Sequence, residues 1–288
     1  MCFGDRAGFC CCWRKPSYDR YWKELKYPPE LLNIKCVDSP KNDILEEVSL
    51  PPEFERLLLP EWKTAQYLRF VDLNVLEVPD SIKSLMAKIY IVHHGDAKPD
   101  YIHGFMDTFL RILSFDDYPL RMSWRYEPFA RIFNRISYTT PSTIFDPRIE
   151  VLTTNHKKLI VLEYASKSPA EADDNENENR LITQLYVAMH DTVLYHRDVI
   201  YPVNVYAIRV LGTLFTFYKT VADEDYIKLT AKQFPNNKES MVVQRYPPKI
   251  GSGIPAYDIV NEDDRRQVLK CIASIKKWLT ENCVNLSS

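Results

Sequence analysis

Two carboxylates 13 residues apart, Glu150 and Glu163, flank the turn between two short apolar runs, "STIFDPRIEVLTT" and "KKLIVLEYAS", joined by "TNHK". Such runs on either side of a brief polar turn read as a β-hairpin, which brings one acid from each strand together. Converging acids can hold a divalent cation, which activates water and neutralises charge developing on a phosphate. Magnesium takes oxygen ligands and keeps several waters, so two acidic side chains suffice. Asp146, four residues before Glu150, is a second candidate for the first ligand position. A base beside the metal would orient or deprotonate the water. Lys167 is the nearest cation after Glu163, and in a continuing strand it shares a face with Glu163 and Ala165. Plainer readings stand beside these: Glu163 as a strand-end acid in water, and Glu150 alternating with Ile149 and Val151 so as to face solvent.

Other motifs offer less. The histidines of "VHHGD", His93 and His94 with Asp96, would point to opposite faces of a strand, and the segment reads as a turn before "AKPD". "GSG" at 251–253 lacks the Lys-Ser/Thr of a phosphate loop. No G-x-S-x-G elbow or H-E-x-x-H pair occurs. Seven cysteines, three of them contiguous at 10–12, fit neither a zinc motif nor a disulfide framework.

The elements that must position the acids follow from periodicity. "PDYIHGFMDTFLRILSF" repeats its apolar residues at helical spacing, with Asp100 placed to cap it. "YEPFARIFNRIS" reads as a second helix, with Glu127 at its start stabilising the N-terminus and pairing with Arg131. After the hairpin, the acidic run "SPAEADDNENEN" has little to bury and reads as an exposed loop. "NRLITQLYVAMHDTVLYHR" is helical and carries Gln184. "PVNVYAIRVLGTLFTFYKTV" gives two strands about Gly212. A loop-rich stretch then leads to a terminal helix, "EDDRRQVLKCIASIKKWLTENC". Mixed order with consecutive hairpin strands indicates an α/β protein with a mixed β-sheet flanked by helices.

This order, with an apolar run ending in Glu, a glutamine on the next helix and a later strand of the type "VYAIRVLGTLFTFYK", resembles the PD-(D/E)XK nuclease-like superfamily, in its divergent fungal and Crinkler-type flavour. The resemblance covers residues about 120–220. It implies a restriction-endonuclease-like core and a Mg2+-dependent nuclease acting on DNA or RNA. Glu163 takes the acid of the E-x-K element, Glu150 or Asp146 the preceding acid, Gln184 the helix glutamine, and Glu127 the acid of the leading helix. Two departures accompany it. Ala165 occupies the lysine position, leaving Lys167 to reach back, and "FDPR" inverts the usual Pro-Asp order. The alternative is therefore an inactive module of the same fold that binds protein or nucleic acid.

Composition sets the limits. The 288 residues include 19 prolines and only 7 glycines, 45% are apolar and 26% charged. They suit an N-terminal proline- and cysteine-rich arm (1–60) followed by one α/β domain (61–288). A net charge of -2 supplies no general pull towards phosphate. No apolar run reaches a membrane span and no secretory signal is read, so the expected setting is intracellular, cytoplasm or nucleus. Cys10, Cys11 and Cys12 are candidates for palmitoylation of the arm.

Overall fold

The computed structural model describes residues 33–40, 47–58, 73, 77–94, 98–124, 129–132, 142–145, 149–153, 158–164, 174–195, 201–230, 240–248 and 255–281. The elements in chain order are β1 (Ile34–Asp38), α1 (Pro52–Glu55), α2 (Asp80–His94), α3 (Pro99–Ile112), β2 (Leu120–Trp124), β3 (Phe129–Ile132), β4 (Ser142–Phe145), β5 (Ile149–Thr153) and β6 (Lys158–Tyr164). They continue with α4 (Asp174–Tyr195), β7 (Val203–Leu211), β8 (Leu214–Ala222), α5 (Glu224–Thr230), β9 (Met241–Tyr246), β10 (Tyr257–Asp258) and α6 (Glu262–Thr280).

One mixed sheet runs β1-β9-β8-β7-β6-β5-β2, and β10 also pairs with β8. The β5–β6 hairpin is antiparallel, β6 and β7 are parallel across α4, and β7 and β8 form a long antiparallel hairpin. Its turn needs Gly212, whose φ of +62° lies in the left-handed region that side chains disfavour.

Apolar side chains cover both faces of the central strands. On β6, Leu159 and Val161 join the core shared with α2, α3 and α6, while Ile160 joins the core under α4 and α5. On β7, Tyr206, Ile208 and Val210 pack on the first side and Val205, Ala207 and Leu211 on the second. A sheet covered on both faces has near-continuous apolar strands, and Leu159–Val161 is such a run.

The helices follow their stripes. On α3, Ile102, Phe105, Met106, Phe109 and Leu110 are buried; Pro99 opens the helix, and Asp100, expected as its cap, stands in the first turn instead. Helix α6 is capped by Asn261, whose side chain accepts from the amides of Asp263 and Asp264.

Four expectations are corrected. Of the segment "YEPFARIFNRIS", expected to be a helix, the described residues Phe129–Ile132 form a strand, paired antiparallel with Ser142–Phe145 in a separate two-stranded sheet. Its aromatic and β-branched residues suit a strand once a partner exists. The acidic run is not all loop, because α4 begins at Asp174, where acids favour a helix N-terminus. The "loop-rich" stretch supplies β9, and His93 and His94 sit in the last turn of α2 rather than in a strand or turn.

Candidate functional site

Glu150 lies opposite Ile160 in the hairpin, and Lys158 lies opposite Leu152. Glu150 and Lys158 are thus diagonal neighbours across the strand pair, close enough for long side chains to meet. They do: Lys158 Nζ is 2.9 Å from Glu150 Oε1, with side-chain exposures of 5% and 1%. Both are enclosed on the α4 side of the sheet, where Ile160 packs. Desolvating two charges is costly unless they neutralise each other, so this is a buried, mutually compensating pair. Glu150 does not face solvent, the plainer expectation for it.

The same geometry tests the fit of a divalent ion. A carboxylate with an ammonium at ion-pair distance is already neutralised, and magnesium would have to displace the lysine and enter a site closed off from solvent. Glu150 with Lys158 does not fit a magnesium ligand set. Among the described residues, no group of three or more His, Cys, Asp or Glu side chains is arranged to hold a metal ion.

Glu163 is on β6, opposite Val210 of β7. It stands three residues beyond Ile160, so the two glutamates hold register positions of opposite parity on the pleat. Gln184 is on α4 and is 1% exposed, in a buried stretch with Leu181 and Leu185. Asp146, Lys167 and Glu127, with Ala165, lie outside the described residues, as do Cys10, Cys11 and Cys12.

A polar cluster that sequence reasoning missed lies towards the other end of the same face. Arg245 of β9 donates from Nε (2.8 Å) and Nη2 (2.6 Å) to Asp38 Oδ1 of β1. From Nη1 it donates to Glu178 of α4, at 2.6 Å and 2.7 Å from the two carboxylate oxygens. The Tyr218 hydroxyl of β8 donates to Glu178 Oε1 at 3.0 Å, and Cys36 Sγ of β1 lies 4.0 Å from the same oxygen. Burial opposes the charge on Arg245, yet its hydrogen bonds to Glu178 and Asp38 outweigh burial and hold the guanidinium above its ordinary value. Burial, then the charge of Glu178, pushes the Cys36 thiol up to about 12. The same two causes, in the same order, raise Tyr218 well above the usual phenol range.

This arrangement makes a charged tie between three elements. Arg245 is separated in sequence from Asp38 by 207 residues and from Glu178 by 67. No local spacing announces such a group. The one usable sign was Arg245 within the alternating "MVVQRY", a charge on the inward parity of a strand.

At the end of α2, the His93 and His94 rings are 4.7 Å apart, edge to face, and Tyr90 lies 4.5 Å from His94. Burial lowers His93, against an upward pull from Asp258. Among the described residues no helix is long and apolar enough to cross a membrane.

Compared with protein-family models and with curated proteins, the chain matches none.

Proposed function

We propose that the protein is a module with a nuclease-like α/β core that works inside the cell by binding a nucleic-acid or protein partner, without cleaving phosphodiesters. The observation that carries this reading is Glu150 closed against Lys158 at 2.9 Å. The carboxylate that the resemblance would give to a metal is instead neutralised within the fold. The order β5, β6, α4, β7, with β6 and β7 parallel across α4, supports the core assignment, since it matches the strand, strand, helix, strand part of the order on which the resemblance rests; where the leading helix was expected, Phe129–Ile132 forms β3 instead.

A second reading keeps catalysis, with Glu163 and Asp146 as ligands for Mg2+, Lys167 as the base, and Gln184 and Glu127 in support. It is favoured by the place of Glu163 near the carboxyl end of β6, beside its parallel neighbour β7. Ligands of α/β proteins gather beyond the carboxyl ends of parallel strands.

One assay separates the readings. Labelled single- and double-stranded DNA and RNA are incubated with the protein in magnesium and in manganese, beside the Glu163→Ala variant. The expected result is intact oligonucleotide throughout. Metal-dependent cleavage that Glu163→Ala abolishes would overturn the proposal and establish the nuclease. The same oligonucleotides in a gel-shift experiment then tell a nucleic-acid partner from a protein one.

A further inference from the structure

We infer that β1 is a detachable edge strand, held on the domain by the charged tie from Asp38 through Arg245 to Glu178. Three features of β1 lead there. It is the last strand of the sheet, joined only to β9 among the described residues, through five residues of parallel pairing. Parallel pairing is slightly weaker per residue than antiparallel. Of its five side chains only Ile34 is buried, while Lys35, Val37 and Asp38 are exposed. Apolar burial therefore holds β1 weakly, unlike β6 or β7.

The tie adds what burial does not. Arg245 is 10% exposed in its side chain and grips β1 through Asp38 and α4 through Glu178. Charge-assisted bonds to a planar guanidinium are about twice as strong as neutral ones. The amide of Ser39 also donates to the Arg245 carbonyl at 3.1 Å, so one residue of β9 fastens the end of β1 through both its side chain and its backbone. When Arg245 lets go, β1 loses its main anchor and the backbone edge of β9 is uncovered. An uncovered edge is a template for another strand. The tie also reaches the start of α4, the helix that follows Glu163 in the chain. The position of β1 is thereby coupled to the helix beside the candidate site. This inference holds whichever reading of the site is correct.

Cys36 reports on the state of β1. Its thiol is half-buried beneath the tie, whereas Cys271 is fully buried in α6 and reports on the core. The full-length protein is alkylated with iodoacetamide at pH 8, and the rate at each cysteine is read by peptide mass spectrometry. Three proteins are compared: wild type, Arg245→Met, and Asp38→Asn, which removes only the charge from the exposed half of the tie. The expected result is a rise of tenfold or more at Cys36 in Arg245→Met and a smaller rise in Asp38→Asn, with Cys271 unchanged in both. Cys36 staying as protected as in wild type in both variants would overturn the inference. So would Cys36 and Cys271 rising together in both, because β1 would then leave only when the whole domain opens.

Discussion

At the residue scale, Glu150 and Lys158 decide how the candidate site is read. Each offsets the desolvation of the other in the interior. Glu150→Gln, which leaves the Lys158 charge buried without its counterion, is expected to lower unfolding stability by about 3–5 kcal/mol in urea titration. Replacing both, as Glu150→Leu with Lys158→Met, is expected to return stability to near the wild-type value, since apolar residues of similar volume substitute well for buried pairs. A double variant no better than the single one would mean that the pair serves a wider network. Cys36 gives a pH prediction at the same scale. Its folded thiol is raised from 9.0 to about 12, so the native state holds the proton more tightly than the unfolded chain. Its contribution to stability is complete below about pH 9 and is lost as pH rises from there towards 12. Wild type and Cys36→Ala should therefore show a constant difference in urea midpoint up to pH 8.5, with wild type losing ground at pH 9.5 and above. A constant difference across that range would contradict the assigned burial.

At the element scale, the best-read segments were those whose period and end signals agreed. The stripe of α3, the stripe of α6 and the Gly212 turn are all present in the fold because a single local rule governs each. Asn261 makes the end signal measurable. Asn261→Ala leaves the Asp263 and Asp264 amides without their acceptor, and a loss of about 1 kcal/mol is expected in thermal melts. Asn261→Asp, which keeps an acceptor, should retain most of it. The misread elements were those whose local signals were ambiguous. "FARI" fits a helix by composition, but its conformation follows from pairing with "STIF", 13 residues further on. The start of α4 was taken as solvent-exposed because it is acidic, yet Glu178 has its partner on a distant strand. The site was legible to the same degree. The hairpin placed Glu150 on β5 and Glu163 on β6, but nothing local told that Lys158 would reach Glu150 or that the two acids would differ in parity.

At the scale of the whole molecule, one sheet joins two cores. Phe215 packs its ring against Phe105 and Phe109 of α3 at 6.1 and 6.0 Å, whereas Leu185 of α4 is buried on the other side. Because β6, β7 and β8 contribute to both cores, neither layer can be lost without baring the strands of the other. Phe215→Ala and Leu185→Ala are each expected to cost about 2–5 kcal/mol and to shift one common unfolding transition, followed by fluorescence and by circular dichroism together. Two separate transitions would show that the layers fold independently. By itself the sequence determined the α/β class, the β5–β6 and β7–β8 hairpins and the apolar faces of α3, α4 and α6, because each follows from spacing within a dozen or so residues. The tertiary structure alone decided that β1 closes the sheet beside β9, that Glu150 is neutralised by Lys158, and that Arg245 ties Asp38 to Glu178. These depend on which strands and charges meet across the sheet, out of water, where an unpaired charge is costly to keep.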